Sequence, residues 1–385
     1  MSAAWPRKRI ADIAEHSLGK MLDKAKNRGE PRPYLRNLNV RWFDFDLSDL
    51  LEMRFLPSET ERYSVRRGDV VVCEGGYPGR AAIWERDEPI YFQKALHRVR
   101  FYEPERARWF LYYLYAKNRD GTLRAHFNGA GIQHFTGEAL ARFALPLPPL
   151  PEQQRIVGIL DEAFEGIATA RANAERNLRN ARALFESYAE RRLCERSEGW
   201  EAKPIGQCFR VRSGDFLPAK AMVATGAYDV YGGNGIAGRH DAHNISGENI
   251  IIGRVGAKCG NVRHVSGDVW LTDNAFYISD YIRAFDPAFL ARVLERKQLR
   301  STANQAAQPV ISYSTIKDVV LEFPISTDAQ GAIARTLEAV EVEVQRLDSV
   351  YERKLATLDE LKQSLLHHAF TGQLTERTLA AHALP

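Results

Sequence analysis

Cysteine is scarce in this chain of 385 residues: Cys73, Cys194, Cys208 and Cys259 are scattered, and no Cys-x-x-Cys occurs. That usage excludes a disulfide framework and a cysteine zinc site, and it implies reduced thiols. Long apolar runs are missing too. None approaches the roughly 18 residues that cross a membrane, and the start Met1-Ser2-Ala3-Ala4-Trp5-Pro6-Arg7-Lys8 has no signal-peptide apolar stretch, so a soluble, cytoplasmic protein is expected. Nor is there a GxxxxGK[ST] phosphate loop or a carboxylate and lysine constellation of nuclease type. Two pairs of histidines, His240 with His243 and His367 with His368, lack a third ligand at metal spacing, so these four are expected on the surface and no metal is implied.

What is present is repetition. Gly68-Asp69-Val70-Val71-Val72, Gly75-Gly76-Tyr77-Pro78-Gly79 and Phe92-Gln93-Lys94-Ala95 have counterparts in Gly247-Glu248-Asn249-Ile250-Ile251-Ile252, Gly253-Arg254-Val255-Gly256-Ala257-Lys258-Cys259-Gly260 and Leu271-Thr272-Asp273-Asn274-Ala275. Each copy closes with an alternating strand ending in proline, Phe143 to Pro148 and Val319 to Pro324, followed by a helix start. A period near 180 residues means duplicated domains, because solenoid repeats run to about 20–50.

The helices after those prolines carry apolar residues in steps of three and four. The first stripe includes Ile156, Leu160, Ile167, Leu178 and Phe185, and the second includes Ile333, Leu337, Val344, Leu347, Leu358 and Leu365. Pro151 suits a first helical turn, and Thr327-x-x-Gln330 predicts a capping box. Some 40 residues make a rod on the order of 60 Å. The expected fold is therefore α+β: two similar globular α/β domains separated by long helices that pair as an antiparallel coiled coil, with pseudo-twofold symmetry. The expected boundaries are 1–150 for the first globular domain, 151–196 for the first helix, 197–326 for the second globular domain, 327–374 for the second helix and 375–385 for a tail.

Charge is uneven. Residues 1–150 hold 25 Lys and Arg against 19 Asp and Glu, whereas residues 197–326 hold 14 against 13. The excess in the first domain lies among aromatics such as Tyr63, Tyr77, Tyr91 and Phe92, a composition that suits phosphate contact and base stacking. Base edges are read by Arg or Lys on guanine and by Asn or Gln on adenine. The pool of DNA-binding candidates is Arg80, Gln93, Lys94, Asn128, Gln133, Asn234, Arg239, Arg254, Lys258, Asn274 and Gln305. Gly233-Asn234-Gly235-Ile236-Ala237-Gly238 fits GxGxxG, but Arg239 to Asn244 is not an apolar-periodic helix, so a glycine-rich β turn is expected there in place of a dinucleotide site.

These features resemble the specificity subunit of a type I restriction–modification enzyme. The resemblance rests on Pro-Leu-Pro-Pro-Leu-Pro-Glu-Gln-Gln-Arg-Ile-Val at 146–157, Leu361 to Leu366 leading to Ala369-Phe370-Thr371-Gly372-Gln373-Leu374, Trp200 with Ile205-Gly206, and Tyr231 to Ile236. Residues 327–331 depart from it: only the second glutamine, Gln330, is kept, and no Pro-Leu-Pro follows Pro324. The resemblance implies two target-recognition domains that each read half of a bipartite, non-palindromic site in double-stranded DNA. It also implies helices that set the spacing and dock two methyltransferase subunits, with restriction/translocase subunits as further partners. It places S-adenosylmethionine, and ATP with magnesium, on those partners and leaves this chain without a cofactor or catalytic site. In keeping with that, no Asn-Pro-Pro-aromatic or Asp-Pro-Pro-aromatic tetrapeptide for amino-methyl transfer occurs. Two alternatives remain on sequence alone: a reader that works with a methyltransferase without a motor, and a coiled-coil scaffold or adaptor without DNA specificity.

Overall fold

A computed structural model describes residues 5–23, 27–194, 198–304 and 309–374. The chain divides into a first unit, residues 1–174 with 352–385, and a second unit, residues 175–351.

In the first unit an antiparallel sheet runs in the order Ala14–Leu18, Leu96–Phe101, Val70–Cys73, Ala81–Ile83. Val70–Cys73 is apolar at every position and buried at every position, as a strand covered on both faces must be. A second sheet runs Leu51–Phe55, Glu30–Leu35, Ile90–Phe92, Ser64–Val65, its middle pair parallel with Tyr34 opposite Tyr91. The helix Arg106–Arg119 buries Trp109, Phe110 and Tyr112 against the first sheet, and the Trp109 indole N–H donates to the Pro146 carbonyl at 2.8 Å. The same core takes in Ile156 and Leu160 from the start of one long helix and Leu366 and Ala369 from the end of the other, with Phe370 4.7 Å from Trp109.

The second unit repeats this plan. Its four-stranded sheet runs Phe209–Ser213, Ala275–Tyr281, Glu248–Gly253, Val262–Ser266, and its three-stranded sheet runs Gly235–His240, Tyr228–Gly232, Trp270–Leu271. The helix Pro287–Arg296 starts with proline at its first position and Asp286 accepting from the Phe289 N–H at 2.9 Å. Ala189 and Leu193, Ile333 and Leu337 complete its core.

The long helices are Leu150–Cys194 and Thr327–Phe370. Within the first unit Arg171 bonds Asp359 at 3.2 Å and Arg155 reaches the Leu374 carbonyl. Within the second, Arg182 bonds Asp348 at 2.9 Å and Asn177 bonds the Tyr351 hydroxyl at 3.2 Å. Partner numbers fall as helix numbers rise, so the segments run antiparallel in each unit. Along the stripe Ile156, Leu160, Ile167, Ile333 and Leu337 are buried, whereas Leu178, Phe185, Val344, Leu358 and Leu365 are half-buried. Leu347 is 40% exposed. Burial is deepest where a globular core also covers the helix.

The capping box expected at Thr327 does not form. Ser326 accepts from the Ala329 N–H at 3.4 Å, and the buried Gln330 side chain turns away from Thr327 to donate to the Pro324 carbonyl at 2.7 Å and accept from the Asp286 N–H at 2.9 Å. Gln153, also buried, donates to the Pro148 carbonyl at 2.7 Å. Gln330 is thus the counterpart of Gln153, the first glutamine of the run and not the second as expected, and this residue ties strand to helix in both units.

Candidate nucleic-acid interface

In the first unit the strand ending at Cys73 opens into the loop Glu74 to Arg80. Gly79 N–H donates to the Cys73 carbonyl at 2.9 Å and Cys73 N–H to the Arg80 carbonyl at 2.8 Å, closing the loop. Gly79 has φ +82°, and a side chain there would meet Leu123 at 2.4 Å, so only glycine fits. Two further segments converge on Glu74: its N–H donates to the Ala95 carbonyl at 2.9 Å, and its carbonyl accepts from Phe135 N–H at 2.7 Å. The turn carrying Gln93 and Lys94 and the loop from Asn128 to His134 are brought together this way.

Of the candidates gathered there, Arg80 is a brace. Its guanidinium donates to the Asn37 carbonyl at 2.7 Å and lies 3.7 Å over the Tyr77 ring. Gln93 is half-buried and Lys94 exposed. Burial raises the Glu74 carboxyl above the usual carboxylate range, against the opposing pull of His134 and Lys94. Asn128 donates to Thr136 Oγ1 at 3.2 Å, tying its loop to the residue that caps the helix Gly137–Arg142. Gln133 is exposed beside Ile132, which is 75% exposed.

The second unit builds the same arrangement from other residues. Gly260 N–H donates to the Gly253 carbonyl at 2.7 Å and Gly253 N–H to the Asn261 carbonyl at 2.8 Å. Arg254 N–H donates to the Asn274 carbonyl at 2.8 Å, and the Arg254 carbonyl accepts from Ile311 N–H at 3.0 Å. The hairpin turn at Asn234 joins them, because Gly233 packs where a Cβ would come 2.5 Å from the Val255 carbonyl oxygen. Asn234, Arg254, Lys258 and Asn274 therefore share one region. Arg239 does not: at the far end of that hairpin its guanidinium donates to the Gly226 carbonyl at 2.7 Å and the Ala227 carbonyl at 3.1 Å. Gln305 lies outside the described residues. The GxGxxG segment continues as the strand Gly235–His240, so no helix N-terminus stands there to hold a pyrophosphate.

Several residues at these sites escape inspection of the sequence. Glu74 and His134 in the first unit, and Asp273 and Asn304 in the second, sit within the same loops, and Asn37 donates to the Gly75 carbonyl from a neighbouring turn at 3.2 Å. Asn304 N–H donates to the Val310 carbonyl at 3.2 Å as Asn128 N–H donates to His134 at 2.9 Å. Met21, 57% exposed, and Phe216, 73% exposed, follow the matching bridges of Lys20 with Gln93 and Asp215 with Thr272. The signal that would have found them is alignment of one copy on the other. Among the described residues no three His, Cys, Asp or Glu side chains form a metal-binding group, and no helix is long and apolar enough to cross a membrane.

Comparison with known proteins places this geometry. A family model described as the type I restriction modification DNA specificity domain matches residues 3–175 and 197–349. The EcoprrI specificity subunit of a type I restriction enzyme from Escherichia coli is 26% identical over 260 residues, covering 63% of this chain and 64% of that protein. The chain spans less than two thirds of the length of the curated relatives it matches. Among solved structures, one from work on complex assembly and conformational transition of the type I R-M system matches with TM-score 0.75 at 16% identity, covering 96% of this chain and 98% of that one. The HsdS subunit from Thermoanaerobacter tengcongensis matches with TM-score 0.63 at 17% identity, covering 97% and 98%. At these identities the structural likeness concerns the fold.

Proposed function

Because the chain belongs to the type I restriction modification DNA specificity domain family, we propose that it is the DNA-reading subunit of a type I restriction–modification complex. Each globular domain, at 1–150 and 197–326, reads one half of a bipartite, non-palindromic site in double-stranded DNA. The helices at 151–196 and 327–374 fix the gap between the halves and dock two methyltransferase subunits; the tail expected at 375–385 lies outside the described residues. Catalysis, with S-adenosylmethionine and with ATP and magnesium, lies on partner subunits in the cytoplasm, restriction/translocase subunits included.

The observation that carries this reading is the recurrence of one loop frame in both units with unlike side chains upon it. Two copies of a frame suit two tasks of one kind, and unlike side chains suit unlike sequences. A helix of 45 residues is roughly 65 Å long, between one and two turns of DNA at about 34–36 Å per turn.

The test is a map of N6-methyladenine in a methylation-free host that expresses this chain with the methyltransferase encoded beside it. A new two-part, non-palindromic motif that depends on this chain is expected. An assembled, active complex with no new motif would instead favour the scaffold reading. In the same assay, seven residues inserted near Asn173 or Asn177 lengthen a helix by about 10 Å. At about 3.4 Å per base pair the gap should widen by roughly three pairs. An unchanged gap would sink the spacing role and leave recognition standing.

A further inference from the structure

Backbone hydrogen bonds put the two units into register at the loop frame. Cys73 corresponds to Gly253, Gly79 to Gly260, Ala95 to Asn274 and Phe135 to Ile311, each pair making the same bonds. It follows that Glu74 corresponds to Arg254, since each donates its N–H to the turn and accepts from the incoming loop. One residue before Ala95 and Asn274, Lys94 corresponds to Asp273. At both positions the charge has changed sign between the copies while the backbone has not moved out of register.

A frame that both units share cannot distinguish two DNA sequences, so discrimination must come from side chains that differ upon it. Two of the five cations in the candidate pool are already committed: Arg80 to Asn37 and Tyr77, Arg239 to Gly226 and Ala227. Among the described residues Arg254 is held at one edge, by a 3.4 Å bond from Nη1 to the Asp273 carbonyl and by the Phe276 ring 5.4 Å away. Such bracing orients a guanidinium and leaves its second amino group to donate. A carboxylate is an acceptor, whereas a guanidinium is a fork of donors. In the major groove, acceptors match the amino groups of cytosine or adenine and a forked donor matches O6 and N7 of guanine.

Resting on the function proposed above, the geometry points to Glu74 and Arg254 as equivalent specificity-determining residues, Arg254 reading a guanine in one half-site and Glu74 a base amino group in the other. Lys94 and Asp273 complete each pair.

The full complex with its methyltransferase, in the methylation-free host, tests this. Arg254→Gln should relax one guanine position in one half of the methylated motif. Glu74→Gln should relax one position in the other half. Discrimination at the affected position should fall by roughly 5- to 150-fold, the worth of one good bidentate contact. Unchanged motifs for both variants, or changes confined to the same half, would overturn the assignment. Where a variant complex methylates nothing, its binding to duplexes carrying each single-base change of the wild-type site decides. Loss that is uniform across the panel marks a phosphate or structural role and overturns the assignment, while loss of discrimination at one position supports it. Lys94→Gln and Asp273→Asn provide a second pair should Glu74→Gln or Arg254→Gln fail to fold. A wild-type complex with no motif at all would instead count against the proposed function itself.

Discussion

In the first unit the strand ending at Cys73 hands over to Glu74, and in the second the strand ending at Gly253 hands over to Arg254, yet both residues make the same two backbone bonds, 2.9 and 2.7 Å in one and 2.8 and 3.0 Å in the other. Buried N–H and carbonyl groups must find partners whatever side chain accompanies them, so the frame resists change. The side chains of Glu74 and Arg254, half-buried and reaching solvent in part, are freer to change than that backbone. The interior differs too. His97 occupies the strand position that Phe276 holds in the second unit, opposite Val72 where Phe276 faces Ile252. His97 is fully buried and bonds the Phe135 carbonyl through Nε2 at 2.9 Å, so the loop from Asn128 to His134 is anchored by a titratable group that the second unit lacks.

The largest effects should treat the units alike. Leu160 and Leu337 stand at matching places, seven residues beyond Gln153 and Gln330, and both are buried. Leu160→Asp and Leu337→Asp each remove core packing and bury an unpaired charge, a loss above about 4 kcal/mol. Hydrogen exchange should show each variant opening its own unit first. The half-buried Leu178→Asp should be milder. Equal loss across both units from either buried variant would mean that they fold as one.

The next effect should separate the units. Burial depresses the His97 imidazole to about 4, with His16, itself lowered by burial, adding repulsion. A folded pKa below the unfolded value near 6.5 means stability that is present above pH 6.5 and lost as pH falls toward 4, of order 3 kcal/mol. Exchange protection in the first unit should fall over that window, and His97→Phe should flatten the slope. A slope that survives His97→Phe would assign it to other groups.

The smallest effect should rank the junctions. Gln330 is bonded through both its amide nitrogen and its oxygen, whereas the Gln153 oxygen is buried without a partner among the described residues. Gln330→Ala should therefore cost about 2–3 kcal/mol and Gln153→Ala about 1 kcal/mol in thermal or denaturant melts. The reverse order would mean that the unpaired oxygen of Gln153 matters less than the strand and helix it joins.

Periodicity made much of this legible. The stripe from Ile156 and the stripe from Ile333 need only spacing to be seen, and the buried run Val70 to Cys73 needs only composition. The register of the loop frames could not be seen, because loops of unequal length make the offset drift. It is 195 at Ile10 and Ile205, 180 at Glu74 and Arg254, and 176 at Phe135 and Ile311. Gln330 shows the opposite failing. Local spacing suggested a cap, but its partners are Pro324 and Asp286, and the second of these is distant in sequence. Among the candidates, Arg80 and Arg239 looked like free cations because sequence does not reveal which carbonyls a guanidinium has already found.

The first unit is assembled from two stretches separated in sequence, whereas the second is one continuous stretch. Trp109 and Tyr113 rest on Phe370, and Leu366 and Ala369 belong to the same core. During synthesis at about 5–20 residues per second, the ribosome must therefore translate for on the order of 10–40 s beyond Ala174 before that core can close. The stretch that carries Trp109 and Tyr113 is thus translated well before Phe370, and the 175–351 segment is made in the interval.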